Sequence, residues 1–474
     1  MNAEQRKAEI RGSADATEIK GKTYYVSNRG NDAADGLSPE RAWKTLEKVS
    51  AAPLECGDGV LFCRGDLFRG MIKAQAGVTY GAYGAGEKPR LFGWIENLAD
   101  PDLWEEAAPQ IWHYKKKILD CGTLVFNEGE AHCRKLIPSY IGGRFVCRED
   151  EEREFIMERE MTEDLDLFCR YDAVCTQKPS KGESFPIPQM GGESFGDLYL
   201  RCDGGNPGAV YQSIEALPGR NLFRIGNCAN VHIDNLCLKY IGAHAIGAGG
   251  HVVGLKVTNC EIGWIGGTIQ HYFGTDPNYP QGRRGTVTRF GNGVEIYGGC
   301  EDYEVSGCYI YQVYDAGITH QVSTAAKREM KHIRYCNNLV ENCVYAIEYF
   351  LEQLDGESES IMEDVEIRGN WLRRSGYGWG QQRHNANTPA AIKGWSYSNP
   401  ARNFVIRENR LDQSAYRLVH LVAAEQASCP VMEGNTYVQG DGWLGLYGAN
   451  STEELEFNEQ NIQEKLGDRE AIVQ

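Results

Sequence analysis

The chain has 474 residues, 42% of them hydrophobic, and a formal net charge of −17 at pH 7. This acidity argues against nucleic acids, anionic membranes and polyanionic polysaccharides as partners, because long-range repulsion slows their encounter with the protein. The sequence has no apolar run long enough for a membrane span, and its 16 cysteines are scattered without a CxxC pair. The cysteines are therefore expected to be reduced thiols, and the polar segment 1–22 does not resemble a signal peptide, so we predict a cytoplasmic protein.

The amino-terminal part of the chain predicts a leader and a cap. Residues 1–22 predict a helical or mobile leader, and Tyr24–Ser27 predicts a strand. Ser38 is placed to cap a short helix with one apolar face. That face holds Trp43, Leu46 and Val49. Such a helix would cover the exposed edge at one end of a stack of strands.

The middle of the chain, residues 98–221, lacks the regular pattern of the rest. Charged residues at 149–160 alternate with strand-like segments, and 204–208 is a run of turn residues. We predict an inserted antiparallel β-sandwich in this region. The alternative is a set of long loops at the corners of a repetitive fold.

A seven-residue pattern recurs between residues 231 and 437, with apolar residues at its start, small or polar residues at its centre and an aliphatic residue at its end. Spacings of 24 to 48 residues between copies are typical of a solenoid with loops inserted at fixed corners. The predicted closing residues are Leu238, Ile262, Ile310, Leu339, Leu372, Leu411 and Tyr437. Two positions before the last six of these lie Cys260, Cys308, Asn337, Asn370, Asn409 and Asn435.

The pattern within each copy has the two-residue alternation of a strand. Asparagines in line can hydrogen-bond along a stack at a corner, and the 55 glycines suit tight turns. We therefore predict an all-β fold, a right-handed parallel β-helix with an inserted antiparallel β-sandwich domain. Equivalent residues of successive coils would stack about 4.8 Å apart.

A second strand follows each corner, and aligning its inward aliphatic residues places one residue per strand on the outer face. The inward residues are Ile246, Val294, Ile318, Ile347, Ile392 and Val419. The outward residues are Gly247, Glu295, Thr319, Glu348, Lys393 and His420. Carboxylates beside aromatic residues predict a sugar-binding groove, since sugars present apolar C–H faces and polar rims. The alternative is a solvated β face with mixed charges.

Two carboxylates stand out as a candidate catalytic pair. Asp315 falls at the corner before Thr319, and Glu348 lies one coil further on. Glycoside hydrolysis uses one protonated and one ionised carboxyl group, about 5–5.5 Å apart for retention and about 6.5–9.5 Å for inversion. Adjacent coils give the shorter spacing, whereas Glu295 and Glu348 lie two coils apart, about 9.6 Å at the backbone. The residues alone therefore allow both outcomes.

Further residues in or beside this column are predicted to line the groove. Glu295 would bind a sugar hydroxyl or raise the pKa of Glu348 through its negative charge. The predicted substrate-binding residues are Glu295, His320, Gln321, Lys393, Trp395, His271, Trp264 and Tyr349. His271 lies in the insertion 266–289 and His384 in a second insertion, and both insertions are expected over the groove. The histidines are isolated and the cysteines fall at core positions, so no metal and no cofactor are predicted.

The segments YYVS, GNDAADGLSPERAWKTLEKV, GDGVLFCRGDLFRG and VTYGAYGAGEKP resemble the amino-terminal signature of bacterial right-handed parallel β-helix glycoside hydrolases, a group that includes β-xylosidases. The resemblance covers about residues 22–97 and 221–440. It implies a retaining, exo-acting glycosidase for small oligosaccharides such as β-xylosides. Asp315, in a DAG-type corner, would be the nucleophile and Glu348 the general acid/base. Members of the group carry an inserted sandwich.

The predicted organisation is a leader, cap and first coils over 1–97, an inserted sandwich over 98–221, and the main β-helix with groove and tail over 222–474. The expected partner is an oligosaccharide, and the insert is a candidate interface for a homo-oligomer. Two other functions stay open. A lyase or epimerase acting on uronic acids would use a base such as Lys393, with the arginines of 283–289 neutralising the uronate. A non-catalytic carbohydrate-binding solenoid would have no turnover.

Overall fold

The chain winds into a parallel β-helix in the computed structural model, which describes residues 2–14, 17–141, 144–170, 196–273, 286–354, 359–383 and 388–474. Two sheets with parallel ladders form the coils, an 18-stranded long sheet and a 10-stranded short sheet. The predicted all-β fold and parallel β-helix are confirmed. None of the helices within these ranges is long and apolar enough to cross a bilayer.

The long sheet supplies two strand segments to most coils. Val294–Ser306 runs through both segments, and it pairs with Ala316–Thr324 by its first half and with Glu329–Cys336 by its second half. The strands of the long sheet are Thr23–Val26, Gly59–Cys63, Ile72–Lys73, Thr79–Tyr83, Phe223–Gly226, His232–Asp234, Ile246–Val253, Lys256–Thr258, Val294–Ser306, Ala316–Thr324, Glu329–Cys336, Tyr345–Gln353, Ile361–Arg368, Ala390–Gly394, Ala401–Arg407, Arg417–Ala423, Val431–Glu433 and Trp443–Ala449.

The short sheet closes each coil with one further strand. Its strands are Leu67–Arg69, Arg90–Phe92, Cys237–Ile241, Glu261–Ile265, Tyr309–Val313, Leu339–Glu341, Trp371–Ser375, Arg410–Ser414, Thr436–Val438 and Ile472–Val473. Alternate residues of both sheets point inward and form one continuous apolar core.

The predicted register of the long sheet is confirmed. Ile318 pairs with Val294 on one side and with Ile347 on the other, and all three side chains are fully buried. The full inward stack is Ile246, Val294, Ile318, Ile347, Ile392 and Val419. Each such side chain contributes about 1.5–3 kcal/mol by burial. Because the side-chain period is two, this stack forces the intervening residues onto the outer face.

An asparagine ladder runs along one corner and differs from the predicted column by one residue. Asn338, not Asn337, is the buried member: its Nδ2 donates to Asn370 Oδ1 at 2.9 Å. Val340, not Leu339, pairs with Ile310 and is the inward residue of this coil. A shift of one residue exchanges the two faces of a strand, so Asn337 is exposed instead.

The ladder ends on a carboxylate. The row of side-chain hydrogen bonds continues through three more asparagines. Asn370 Nδ2 donates to Asn409 Oδ1, and Asn409 Nδ2 donates to Asn435 Oδ1. Asp468 is fully buried and accepts from Asn435 Nδ2 at 2.9 Å, from Gly434 N at 2.7 Å and from Tyr437 Oη at 2.9 Å. A carboxylate accepts hydrogen bonds without needing to donate one, so it suits the end of a row of donors.

The amino-terminal helix Ala3–Gly12 lies along the outer face of the short sheet. Ile10 packs on Tyr309 and Leu339 there. Two ion pairs hold the helix to the coils, Lys7 to Glu341 at 2.7 Å and Arg11 to Glu261 at 2.9 Å. The leader therefore contains a helix, as predicted, and it is fixed to the side of the coils.

The predicted cap helix is broken in two. A 3₁₀ turn, Pro39–Arg41, follows Ser38, and the α-helix Leu46–Ala51 is capped by Thr45. Trp43 lies between them, outside the helix, and stacks on Tyr24 with ring centroids 4.7 Å apart. Leu46 and Val49 still reach the core, as the apolar pattern predicted.

The described residues between 98 and 221 form small sheets around a core of their own. A five-stranded sheet contains Trp104–Ala108, Ile111–Tyr114, Arg134–Lys135, Asp166–Arg170 and Asp197–Arg201. One three-stranded sheet contains Cys121–Phe126, Ala131–His132 and Ile214–Pro218. A second three-stranded sheet contains Ser139–Ile141, Arg144–Cys147 and Asp150–Glu154. Most of these pairs are antiparallel. The sandwich domain and the three predicted domain bounds stay predictions.

The remaining elements are short. A two-stranded sheet pairs Thr268–Phe273 with Thr286–Phe290. The other helices are the α-helices Met157–Glu160 and Pro207–Val210, the 3₁₀ turns Pro101–Leu103, Asn127–Gly129, Trp379–Gln382 and Gln426–Ser428, and the π-helix Asn461–Lys465. The 15 cysteines in the described ranges are all free thiols.

The end of the asparagine ladder gives a stability prediction. Asp468→Ala leaves several buried donors without an acceptor, each costing about 1–3 kcal/mol, so the free energy of unfolding should fall by about 3 kcal/mol or more. Asp468→Asn should lose less, because one acceptor oxygen remains. Chemical denaturation followed by circular dichroism measures both. Asp441→Ala, at an exposed loop position, is the control and should be near neutral. Equal unfolding curves for Asp468→Ala and the control would contradict the role of the ladder.

Candidate active site

The corner that carries Asp315 is tied to the coils on both sides. Asp315 follows the strand Tyr309–Val313 and precedes Ala316–Thr324. Its carbonyl oxygen accepts from Val344 N at 3.0 Å in the next coil, and its amide donates to Gly291 O at 3.2 Å in the preceding one. Gly317 allows the close approach, because a Cβ there would lie 2.7 Å from Ala346 O. The Asp315 side chain is thereby fixed at the rim of the outer face.

Arg383 pairs with Asp315 from a distant part of the chain. Its Nη1 donates to Asp315 Oδ1. The preceding turn, Trp379–Gln382, is anchored through Trp379 Nε1, which donates to Gln312 O at 2.8 Å. Burial raises the pKa of Asp315, and the charge of the adjacent Arg383 opposes that shift. The pKa of Asp315 is raised overall, and the guanidinium limits this rise for a carboxyl group that is only 7% exposed.

Glu348 lies one coil from Asp315, and a tryptophan ring donates to it instead of a guanidinium. It stands in Tyr345–Gln353, paired with Thr319 on one side and Lys393 on the other. Burial raises the pKa of Glu348 to about 8, the negative charge of Asp315 adds to the shift, and a hydrogen bond from Trp395 opposes it. Trp395 Nε1 donates to Oε1, which leaves Oε2 to carry the proton. Glu348 is therefore a carboxylic acid at neutral pH.

Glu295 is the ionised carboxylate of the groove. Its Oε2 lies 2.8 Å from His244 Nδ1 and accepts from Asn292 Nδ2 at 2.5 Å. Burial alone would raise the pKa of Glu295, but His244, Asn292 and Gln321 outweigh burial and hold the pKa below its usual range. Its charge in turn raises the pKa of Asp315 and of Glu348.

Lys393 and His420 form a buried pair at the far end of the column. Lys393 Nζ donates to His420 Nδ1 at 2.8 Å, and it lies 4.3 Å from the Trp395 ring centroid. Burial and the nearby cations lower the pKa of His420 to about 3, so its ring is neutral and carries its proton on Nε2, 2.8 Å from Ser396 Oγ. Burial and the charge of Arg417 lower the pKa of Lys393 to about 8.

The structure brings most of the predicted site residues together. Asp315 and Glu348 belong to one electrostatic cluster with Glu295. Gln321 bonds to Glu295, and Trp395 bonds to Glu348. The outward column of the long sheet, which we call the groove column, is Gly247, Glu295, Thr319, Glu348, Lys393 and His420.

Three predicted binding residues lie elsewhere. His320 and Tyr349 point into the coil, where His320 Nδ1 lies 2.8 Å from Tyr335 Oη and its ring stacks on Tyr349 at 5.7 Å. The reason is strand alternation: each follows an outward residue directly in sequence. Burial lowers the pKa of His320 to about 3, as for a core histidine. Trp264 packs in a cluster with Tyr314 and Trp379 instead of facing the groove.

Two further predicted residues lie partly or wholly outside the described residues. The backbone of His271 lies in the hairpin strand Thr268–Phe273, and its side chain lies outside the described residues. His384 also lies outside the described residues.

Sequence reasoning missed three residues that recur at one corner position. His244, Asn292 and Tyr345 each stand two positions before an inward aliphatic residue, at the corner where the strand begins and alternation does not set the direction of the side chain. Arg383 has no such signal, because it comes from an insertion whose path is not set by the coil register.

One group outside the groove has the composition of a metal site. Among the described residues, Glu301, Asp302 and His332 are the one set of three or more acidic, histidine or cysteine side chains close enough to share an ion. Asp302 and His332 are exposed, with His332 Nδ1 3.1 Å from Asp302 Oδ1. They lie on the second segment of the long sheet, away from the groove column.

The chain matches no family model and no curated protein. Among solved structures, a complex of XylC with xylose is 11% identical, covers 88% of this chain and 76% of its own, and has a TM-score of 0.42. A structure described as a glycoside hydrolase is 12% identical over 89% of this chain and 88% of its own, with a TM-score of 0.42. A polygalacturonase from Erwinia carotovora is 10% identical over 93% and 100%, with a TM-score of 0.33. At these scores the likeness carries no argument about activity, and the fold rests on the sheets described above.

The protonated state of Glu348 gives a pH-dependent stability prediction. The unfolded chain releases this proton near the ordinary glutamate pKa of 4.5, whereas the folded protein keeps it up to about pH 8. Between these values the folded state binds the additional proton, so its stability should fall as pH rises, by about 1.4 kcal/mol per pH unit.

Glu348→Gln removes this proton and should flatten the decline in unfolding free energy between pH 5 and pH 8. Denaturation at a series of pH values measures it, with the exposed Glu453→Gln as control. Parallel curves for wild type and Glu348→Gln would show that Glu348 is ionised in the folded protein.

Proposed function

We propose that this protein is a retaining glycoside hydrolase in which Asp315 is the nucleophile and Glu348 the general acid/base. The observation that carries the proposal is a pair of carboxyl groups on adjacent coils, one with its pKa raised to about 8 and the other bonded to a guanidinium. Glu348 is protonated because it is buried near another negative charge, and Asp315 is paired with Arg383. Glycoside hydrolysis needs a proton donor and an ionised carboxylate, and we assign the second role to Asp315 because Arg383 favours its charged form.

The first step would form a covalent intermediate. An oxygen of ionised Asp315 attacks the anomeric carbon, the bond from that carbon to the glycosidic oxygen breaks, and Glu348 gives its proton to the departing oxygen. Trp395 supports this role, since it holds Oε1 of Glu348 and leaves Oε2 free to donate.

The second step would restore the enzyme. Glu348, now ionised, takes a proton from water while the water oxygen bonds to the anomeric carbon and the ester bond to Asp315 breaks. Loss of the Asp315 charge on forming the ester lowers the pKa of Glu348, because that charge is part of what raises it. The residue would thereby change from acid to base within one cycle.

The neighbouring groups would position the sugar and balance the charge. Glu295 is ionised and held by His244 and Asn292, so it would accept a hydrogen bond from a sugar hydroxyl. Thr319 lies between Glu295 and Glu348 in the column, and its buried Oγ1 has no hydrogen-bond partner in the protein. An unpartnered buried hydroxyl facing the groove suits a substrate hydroxyl.

For the substrate, we propose small oligosaccharides cleaved from one end, with β-xylosides first. The catalytic carboxyl groups are almost enclosed, Asp315 being 7% and Glu348 4% exposed. An enclosed site favours a terminal sugar unit over the middle of a long chain. The resemblance of the amino-terminal segments to β-xylosidases supports the choice of sugar.

A uronic-acid lyase is less well supported. Lys393, the candidate base, directs Nζ at His420 and Thr388. Arg289, one of the arginines proposed to neutralise a uronate, is fully buried and donates to Gly267 O and Gly122 O. The other two, Arg283 and Arg284, lie outside the described residues.

The central prediction is turnover of aryl glycosides. A panel of nitrophenyl glycosides should show release of nitrophenol from at least one sugar, with xyloside tested first. Asp315→Asn and Glu348→Gln should each lower kcat/KM by about 10²–10⁴. The Glu348 variant should lose less with a good leaving group, which needs no protonation, and azide should rescue it.

Product stereochemistry separates the mechanisms. Retention of the anomeric configuration agrees with Asp315 as nucleophile, whereas inversion would remove that role and favour a water-activating carboxylate. An unsaturated, ultraviolet-absorbing product from a uronic polymer would indicate a lyase, and full activity in either variant would exclude that residue.

Arg383 should set the pH range of activity. Its charge lowers the pKa of both Asp315 and Glu348, so Arg383→Gln should raise both values. The acid limb of the kcat/KM profile, where Asp315 ionises, and the basic limb, near pH 8 in the wild type, should both move to higher pH. Kinetics over pH 4 to 10 measure this, with the exposed Arg374→Gln as control. Unchanged limbs in Arg383→Gln would show that other groups control the profile.

A further inference from the structure

A set of exposed and half-buried aromatic side chains lies on the same outer face as the candidate catalytic carboxyl groups. Tyr297 stands two residues after Glu295, and Phe350 two residues after Glu348, so strand alternation puts all four side chains on one face. Tyr297 is 45% exposed.

The strand register that aligns the groove column also places these aromatic side chains side by side. Gln321 pairs with Tyr297 on one side and with Phe350 on the other, so an amide stands between two rings. Tyr397, 37% exposed, extends the surface by packing edge-on against Phe350 with ring centroids 5.3 Å apart. We call Tyr297, Gln321, Phe350 and Tyr397 the aromatic platform.

The position of the platform along the strands shows which part of a substrate it would meet. Asp315 lies at the corner four residues before Thr319, the partner of Glu348, and the platform lies two residues after this pair. The order along the outer face is therefore Asp315, Glu348, platform. The sugar attacked by Asp315 would lie on the corner side, and the group protonated by Glu348 would lie on the platform side.

We propose that the aromatic platform is the binding site for the leaving-group sugar of the substrate. It would be an aglycone subsite two residues along the strand from Glu348. This inference rests on the proposed glycosidase function. Two residues along a strand span about 6.6–6.8 Å, the scale of one sugar ring.

The chemistry of the platform fits a neutral sugar. Aromatic rings cover the apolar C–H faces of a sugar, and the amide of Gln321 offers both a donor and an acceptor for its hydroxyls. Gln321 also bonds to Glu295, so the platform is connected to the groove by a direct contact. The platform presents no cation to a uronate, so it would select a neutral leaving-group sugar over an acidic one.

The test compares two substrates that contain the sugar identified by the aryl-glycoside panel. One is the disaccharide of that sugar, and the other is its glycosyl fluoride. The fluoride has no leaving-group sugar, so it needs the carboxyl groups and not the platform. Tyr297→Ala and Phe350→Ala should each lower kcat/KM for the disaccharide about fivefold to tenfold, mainly through KM. Their kcat/KM for the fluoride should stay at the wild-type value, and Tyr297→Phe, which keeps the ring, should match the wild type on both.

Equal losses on both substrates would overturn the proposal, because the variants would then act through the carboxyl groups or the fold. Unchanged disaccharide kinetics would overturn it as well.

A wild-type protein that hydrolyses no glycoside would refute the proposed function and not the platform. In that case calorimetry tests whether the platform binds sugar. Xylotriose is titrated into the Glu348→Gln variant and into the double variant that carries Glu348→Gln and Tyr297→Ala. Weaker binding by the double variant supports a sugar-binding platform, and equal binding or no binding at all overturns it.

Discussion

In-register stacking of inward aliphatic residues is the constraint on which the site depends. Ile318 and Ile347 occupy the same position in successive coils and are fully buried. Because side chains alternate, this fixes Thr319 and Glu348 on the outer face and leaves them no other register. A slip of one residue would bury the carboxyl group of Glu348 in the core at a cost of several kcal/mol. The free energy that stabilises the coil therefore also positions the candidate catalytic acid.

Burial then gives the carboxyl groups different chemistry. Three of them lie within one small region, and full ionisation there would bring like charges together in a poorly solvated place. The structure avoids this by three different means: Asp315 is paired with Arg383, Glu295 is bonded to His244, and Glu348 keeps its proton. A carboxyl group that keeps its proton and one that is bonded to a guanidinium therefore lie on adjacent coils.

The coil period predicted the register of the sheet, whereas predictions of individual site residues failed for two different reasons. The predicted inward column through Ile318 and outward column through Thr319 were correct, because side chains alternate between the two faces in each strand. His320 and Tyr349 were wrongly placed in the groove although the same alternation turns them inward. Arg383 was missed because it comes from an insertion, whose path depends on tertiary packing and leaves no periodic trace.

The most direct test of the central claim, that Asp315 and Glu348 act as a pair in one cleft, is covalent trapping. A 2-deoxy-2-fluoro glycoside of the sugar that is hydrolysed slows both steps and lets a glycosyl-enzyme accumulate when the leaving group is good. Mass spectrometry of the digested protein should find one adduct, on the peptide that contains Asp315. An adduct on another carboxylate such as Glu295, or turnover with inversion and no adduct, would contradict the account.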